Sequence, residues 1–416
     1  MSLNDRQTKN EVFLKNLFRK YYQENKVEPP SSMEKREFGF MFFGAQTMVR
    51  HLAFSEPESL QRFLVSRAPS NAFHSAAYYA KPDATRMDEK VWEGCDLVFD
   101  IDADHLKTSC KEVHDKWICQ HCGQSGPGKK PEKCPVCGEQ NIEEKTWLCE
   151  ECLETAKDEL TKLIEDYLTA DFGISTDELK VVFSGHRGYH VHVTSEALLD
   201  LDQNARREIV DYIKGVGLEP RYHGLVEARD GRSKILRGPR ANEDGWRGRL
   251  TRGVVKTILS MDESSIPQER KVKNALRVLL KDKDKVADSL REGVWDTVRG
   301  VGIDVWGYIA RLAVEKVGGR IDEPVTADIR RLIRLPTSLH GKTGFKVCPV
   351  PLRELSSFDP FKHALAFRGE ATIHVDEAPK FRVGEEEFGP FKDEDVELPL
   401  SAAVLLICKG FAYLRG

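Results

Sequence analysis

The sequence predicts a mixed α/β protein of the α+β kind, and three observations predict it. Short β-favouring runs with period-two alternation, such as Leu97 to Asp102 and Tyr189 to Val193, are interleaved with longer stretches of helical periodicity. Seven of the ten cysteines fall between Cys110 and Cys152, which marks a cysteine-rich insertion in that frame. The stretch 262–318 is strongly helical and charged, which reads as a second insertion built of helices.

The elements follow in chain order. Val12, Phe13, Leu14, Leu17, Phe18, Tyr21 and Tyr22 recur at helical spacing and predict an amphipathic helix over residues 8–24. Leu97 to Asp102 is a short strand, and after the cysteine segment a helix runs from about Leu153 to Leu168 with Ala156, Leu160, Leu163, Ile164 and Tyr167 inward. Lys180 to Phe183 is a strand, Ser184-Gly185-His186-Arg187-Gly188 breaks it, and Tyr189 to Val193 resumes, as in a hairpin. A helix over 203–214 comes next. The run Lys281-Asp282-Lys283-Asp284-Lys285 in the helical insertion reads as a solvated helix face or linker. From about residue 321 a final α/β segment returns to the core, and no internal repeat is visible. The expected organisation is therefore 1–108 as the first part of the core, 109–152 as a metal-binding insertion, 153–260 as more core, 261–318 as the helical insertion and 319–416 as the last part of the core.

Composition narrows the function. With 416 residues and 40% hydrophobic content, the chain has ample apolar material for a large core. Its longest uninterrupted apolar stretch, Ala402 to Cys408, is far short of the roughly 20 residues that cross a bilayer, and its polar start lacks the apolar core of a secretory signal. A cytoplasmic protein without a membrane partner is expected. A formal net charge of −4 gives no global pull toward nucleic acid, so a phosphate-binding surface has to be a local cluster.

In Leu97-Val98-Phe99-Asp100-Ile101-Asp102 the two-residue period puts Asp100 and Asp102 on one face of a strand. Such a pair repels itself unless hard divalent cations neutralise it, and Mg²⁺ or Mn²⁺ takes oxygen ligands of this kind. Asp-x-Asp also occurs by chance on edge strands, so the pair needs support from elsewhere in the chain. Two glycines in Ser184-Gly185-His186-Arg187-Gly188-Tyr189-His190 allow close backbone approach, and Arg187 and His190 suit phosphate oxygens, whereas His192 reads as alternating outward. Asp322 precedes Arg330-Arg331-Leu332-Ile333-Arg334-Leu335-Pro336-Thr337-Ser338-Leu339-His340-Gly341-Lys342-Thr343-Gly344, where Arg334, His340 and Lys342 suit a triphosphate tail and Asp322 completes a metal cage. A further basic stretch, Arg229, Arg232, Lys234, Arg237, Arg240, Arg247, Arg249 and Arg252, with Trp246 available to stack on a base, is a template-groove candidate.

The cysteines pair as Cys119/Cys122, Cys134/Cys137 and Cys149/Cys152, each at x2 spacing, and Cys110 with His114 offers a fourth pair. Eight ligands make two tetrahedral zinc sites. Cys119, Cys122, Cys134 and Cys137 look like the two knuckles of a zinc ribbon, leaving Cys110, His114, Cys149 and Cys152 for the other ion. On spacing alone His121 or His105 can replace His114, and the pairs can be exchanged. With no open coordination position, these zincs are structural.

Taken together, these residues resemble the small catalytic subunit of archaeal and eukaryotic DNA primases, in the archaeal type. The resemblance covers most of the chain and is carried by Arg36-Glu37-Phe38, the strand bearing Asp100 and Asp102, a zinc knuckle leading into a helix, Ser184-Gly185-x-Arg187-Gly188-x-His190, and Asp322 ahead of Arg334-x-Pro336-x-Ser338-x-His340-x-Lys342-Thr343-Gly344. It implies mixed sheets around an active cleft, a peripheral zinc lobe and a helical insertion. It implies Asp100, Asp102 and Asp322 as a metal-binding catalytic triad, with Ser184, Arg187, His190, Arg334 and His340 on the nucleotide's phosphates. Arg50 is similar to a nucleotide-site arginine, with Glu37 beside it. The implied activity is template-dependent synthesis of short RNA primers, with DNA also made by archaeal relatives, from nucleoside triphosphates on single-stranded DNA. The implied partner is a large subunit that bears an iron–sulfur cluster, with none in this chain. Two departures stand out: the ribbon from Cys119 to Cys137 expands the family's single knuckle, and His186 stands where eukaryotic relatives often carry arginine.

Overall fold

The computed structural model describes residues 3–230, 233–262, 270–296, 298 and 301–415. The chain forms two compact units: residues 1–158, 176–206 and 322–416 make the first, and residues 159–175 and 207–321 make the second.

The first unit opens with α1 (Leu3–Glu24). The apolar spacing that predicts this helix buries Leu14, Phe18, Tyr21 and Tyr22, and Phe18 and Tyr22 pack with Phe38, Phe40, Leu60, Leu64 and Leu335 in one core cluster. Over that cluster lies a four-stranded sheet of β1 (Phe38–Met41), β2 (Val49–Leu52), β3 (Asn71–Ser75) and β7 (Leu332–Arg334), in spatial order β7-β3-β1-β2. A second four-stranded sheet holds β4 (Leu97–Asp102), β5 (Leu179–Phe183), β6 (Gly188–Val193) and β8 (Cys348–Val350), in order β8-β5-β6-β4. Every pair in both sheets is antiparallel.

The register of the second sheet places the chemistry. His190 lies opposite Asp100 and Gly188 opposite Asp102, while β5 and β6 form the expected hairpin with Val182 opposite His190. Along β4, Leu97, Phe99 and Ile101 are fully buried while Asp100 and Asp102 stay partly exposed, as period-two alternation requires. His192 departs from the outward alternation expected of it. It is buried, because both faces of β6 are covered, and its ring stacks on His74 of β3 at 6.1 Å.

The cysteine-rich insertion is a three-stranded antiparallel sheet, Lys116–Cys119, Ser125–Pro127 and Ile142–Lys145. Its apolar core is only Trp117, Ile142 and cysteines. A helix then runs over Glu150–Lys162 and continues through a wider π-helical turn, Leu163–Thr169, slightly beyond the expected bounds.

In the second unit, helices Gly245–Ser260 and Ile303–Val317 meet where Gly253 leaves room for Ala313 and Val317. Trp295 and Trp306 meet edge-on with ring centres 5.2 Å apart. The charged run at 281–285 lies at the junction of Arg270–Lys281 with Lys283–Arg291, so Asp282 breaks one helix into two. No helix among the described residues is long and apolar enough to cross a membrane.

Candidate active site

A pocket of about 220 Å³ in the first unit collects Asp100, Asp102, Ser184, His190, Arg334, His340 and Lys342, together with Asp104, His186 and Arg331. Asp322 occupies the position before the short helix Glu323–Ala327 without a side-chain capping bond, and its backbone N–H donates to the carbonyl of Asp100 at 2.9 Å. The backbones of Asp100 and Asp322, 222 residues apart in sequence, are thus joined near the end of β4, and the Asp322 carboxylate is near enough for its charge to act on Asp100. Burial pushes the Asp100 carboxyl up to about 8, and the charges of Asp102 and Asp322 push it the same way. Asp102 is also raised, first by burial and then by Asp104, although the N–H of Asp104 donates to its Oδ1 at 2.9 Å and opposes the shift. Carboxylates held in mutual repulsion like this are relieved by a divalent cation.

Opposite the acids the pocket is cationic. Gly185 (φ +81°) turns the β5–β6 hairpin, and a Cβ there would lie 2.8 Å from Cβ of His340, so the two turns dock closely. Gly188 runs so close to β4 that an added Cβ would meet the Ile101 carbonyl at 2.2 Å. Thr343 Oγ1 fixes the second turn by donating to the Gly185 carbonyl at 2.6 Å, and the Lys342 N–H donates to His340 Nδ1 at 3.1 Å. The His186 ring stacks on His340 at 5.1 Å and 11°. Burial lowers the pKa of His186, His190 and His340, and neighbouring cations lower each further. Burial brings the Arg334 guanidinium down to about 10 against the pull of Asp100 and Asp102, so it stays charged at neutral pH, lying 4.7 Å above the Phe73 ring. A desolvated set of donors beside an acidic rim matches a metal-bound polyphosphate.

Two expected nucleotide residues are not brought to this pocket. Arg187 is fully buried and outside the pocket lining, its Nη atoms 3.1–3.2 Å from carboxylate oxygens of Asp115 and of the pocket-lining Asp104, which take up its guanidinium. Arg50 donates to buried Glu37 at 3.0 Å, and Glu37 also meets the His51 N–H at 3.1 Å and Lys90 Nζ at 3.5 Å. Arg36 is likewise occupied, with Asp96 at 2.8 Å and the Tyr78 hydroxyl at 2.7 Å.

The basic stretch in the second unit is corrected more sharply. Trp246 is buried with its Nε1 donating to the Tyr212 carbonyl at 2.8 Å, so it cannot stack on a base. Arg249 is buried against Asp171 at 2.8 Å. Arg247 pairs with Glu243, and Arg252 donates to the Ala241 carbonyl. Arg229, Arg237 and Arg240 are exposed. Arg232 and the side chain of Lys234 lie outside the described residues.

The structure gathers the cysteines into two sets. Cys110, His114, Cys149 and Cys152 form one, with His114 Nε2 3.2 Å from Cys149 Sγ and the Cys110 and Cys152 sulfurs 3.4 Å apart. Cys119, Cys122, Cys134 and Cys137 form the other, with sulfur pairs at 3.6 Å. His114, not His121 or His105, completes the first set; His105 stands 4.0 Å from Asp322 instead. None of these cysteines is in a disulfide. Four soft donors converging at such distances suit a tetrahedral metal ion. A third group, Asp102, Asp104 and His186, also has ligand atoms close enough to hold an ion.

Sequence reasoning passed over Asp104, Asp115 and Lys409, and noted His186 only as a departure from its relatives. Asp104 continues the Asp100, Asp102 spacing and was open to the same argument. Lys409, whose Nζ lies 2.7 Å from His186 Nε2, follows an apolar helix, Leu400–Cys408, and carries no sequence signal.

A family model described as DNA primase small subunit matches residues 129–352. The curated DNA primase small subunit PriS of Methanothrix thermoacetophila is 34% identical, with 98% of this chain and 99% of its own length covered. The PriS of Methanosarcina barkeri is 34% identical, with 96% and 95% covered. The PriS of Picrophilus torridus is 35% identical, with 84% and 83% covered.

Proposed function

The chain belongs to the DNA primase small-subunit family, and we propose that its nucleotidyl transfer runs in the pocket bounded by Asp100, Asp102 and Arg334. The family's activity is primer synthesis, and the protein is a nucleotidyltransferase of the DNA primase type. The observation that supports this assignment of site is the convergence of Asp100, Asp102 and Asp104 with Arg331, Arg334 and Lys342 on one pocket, where burial and the charges of Asp102 and Asp322 raise the Asp100 carboxyl.

In this reading Asp100, Asp102 and Asp322 hold Mg²⁺ or Mn²⁺. When bound, such a pair of ions lowers the pKa of a 3′-hydroxyl and stabilises departing pyrophosphate. Arg334 and Lys342 neutralise the triphosphate. Ser184, His190 and His340 orient its oxygens, the two histidines as neutral donors because burial keeps them unprotonated. Asp100 ligates as the free carboxylate, and the neutral His190 ring beside it, Nε2 3.5 Å from Asp100 Oδ1, adds no competing positive charge at the ion. The two cysteine sets hold zinc in closed, structural sites. The template is single-stranded DNA, the substrates are nucleoside triphosphates, the partner is a primase large subunit, and the protein works in the cytoplasm.

The test is synthesis on unprimed single-stranded template with and without the large subunit. Asp100→Ala and Asp102→Ala abolish product while zinc content, measured by elemental analysis, stays at the wild-type value. Persistent synthesis in both variants places the chemistry elsewhere. A polymerase that only extends existing ends would be active on primed and silent on unprimed templates.

A further inference from the structure

Arg187 lies in the turn that presents Ser184 and His190, yet its side chain points away from the pocket into a buried chain of contacts. Its guanidinium meets both Asp115 oxygens, Oδ2 at 3.1 and 3.2 Å, and reaches Cys152 Sγ at 3.5 Å. Asp115 Oδ1 lies 2.8 Å from Nδ1 of His114, whose Nε2 faces the sulfurs of Cys149 and Cys152. Toward the pocket, Arg187 Nη1 stands 3.1 Å from Asp104 Oδ1. The backbone N–H of Asp104 donates to Asp102 Oδ1 at 2.9 Å, and the N–H of Ala103 donates to the Arg187 carbonyl at 2.9 Å. One planar fork therefore spans from a cysteine–histidine cluster to the acids.

The chemistry of each link is directional. A histidine bound to metal through Nε2 donates its Nδ1–H outward, and a carboxylate that accepts it fixes ring and tautomer. Asp115 fills that place, and being buried it needs a cation on its other oxygen. Arginine alone presents paired donors in a rigid plane that can serve Asp115 and Asp104 together. Asp104 is the exposed end of the chain, with 41% of its side chain open, so its fixed position depends on Arg187.

We propose that Arg187 is a positioning residue which couples the Cys110/His114/Cys149/Cys152 metal site to Asp104 and Asp102, so that an ion held by the cluster sets the geometry in which the pocket's acids take a divalent cation. The proposal rests on the reading of Asp100, Asp102 and Asp322 as the divalent-cation site. It differs in sign from a purely electrostatic role. A cation beside Asp102 repels an incoming metal ion, so removing it would tighten metal binding if charge were all that mattered; loss of positioning weakens it.

The experiment measures Mn²⁺ binding to the full chain by electron paramagnetic resonance without nucleotide, alongside elemental analysis of cluster-bound metal. Arg187→Lys keeps the charge and loses the fork; the paired Arg187→Gln/Asp115→Asn variant removes both charges of the buried pair and leaves only the part-exposed Asp104 to solvent, and serves where the single change does not fold. Both variants retain the cluster ions and bind Mn²⁺ about tenfold more weakly, at the low end of what loss of an outer-shell partner does to metal affinity. Stripping the cluster ions from the wild type weakens Mn²⁺ binding by the same factor and adds nothing in the paired variant. Wild-type or tighter Mn²⁺ affinity in both variants overturns the proposal, as does an equal effect of stripping in wild type and paired variant. An Asp100→Ala control separates the two readings: if it binds Mn²⁺ as the wild type does, the acids are not the cation site and the earlier reading falls first.

Discussion

Replacing Asp100 by asparagine should make the ion-free protein more stable while removing its activity. The folded pKa, about 8, lies above the ordinary 3.8, so the folded state keeps a proton that the unfolded chain releases between those values. Folding stability of the ion-free protein therefore declines as pH rises from about 4 to about 8, then levels off. At pH 7.5 linkage puts the cost of ionising Asp100 at up to about 5 kcal/mol. Water reaches 19% of the side chain, and screening brings a working figure to about 2 kcal/mol. Asparagine keeps the shape without the charge and should raise the melting temperature by roughly 5 °C in buffer free of Mg²⁺, on a scale of about 2–4 °C per kcal/mol. Adding Mg²⁺ should stabilise the wild type markedly and the variant little. The assay is thermal unfolding by circular dichroism at pH 5 and pH 7.5, with and without Mg²⁺; the variant's advantage should vanish at pH 5 more than at 7.5. A variant less stable than wild type at pH 7.5 without Mg²⁺, or an equal response of both to Mg²⁺, would refute the argument that charge repulsion among these acids is relieved by metal.

Three further outcomes are expected. Burial brings Lys409 down to about 7, helped by Arg187 and Lys342, so triphosphate binding should draw in a proton and strengthen as pH falls through 7; calorimetry in buffers of different ionisation enthalpy should show that uptake, and Lys409→Met should reduce it. Arg249→Met strands Asp171, 4% exposed, without its cation, and should cost the second unit about 3–5 kcal/mol, read as a drop of several degrees in unfolding temperature; a change below 1 kcal/mol would mean the pair contributes only locally. Removing metal from Cys119, Cys122, Cys134 and Cys137 should unfold the small sheet over residues 116–145, whose core is too slight to hold alone, and amide exchange there should rise to that of an open chain.

The sequence made the acids readable because strand period two is rigid: once Leu97 to Asp102 is a strand, Asp100 and Asp102 must share a face. The metal-ligand sets were readable as pairs and in the partition the fold shows, but spacing alone left His121, His105 and an exchange of pairs open, and only the fold chooses His114. Arg187 was misplaced for a different reason. The pattern Ser184-Gly185-x-Arg187-Gly188 identifies a turn, but which way its side chains point depends on Asp115, 72 residues earlier. Trp246 and Arg249 misled because one helix can carry basic residues on both faces, and Asp171, from another segment, neutralises the buried one. The outward reading of His192 failed because a single strand does not reveal that a second sheet covers it.

The pocket's two walls emerge from the ribosome far apart in time. The acids of β4 and the β5–β6 hairpin are made early, whereas Asp322, β7 and the turn bearing His340 belong to residues 322–416, after the whole second unit. At roughly 5–20 residues per second, several seconds pass between those events. During them the β3 edge awaits β7 and the β5 edge awaits β8, two strands' worth of unpaired backbone exposed to any neighbouring nascent chain. A polypeptide cut short before residue 322 lacks Asp322, Arg334, His340 and Lys342 and leaves the β3 and β5 edges without β7 and β8, so completion of the last 95 residues both closes the two sheets and supplies one whole wall of the pocket.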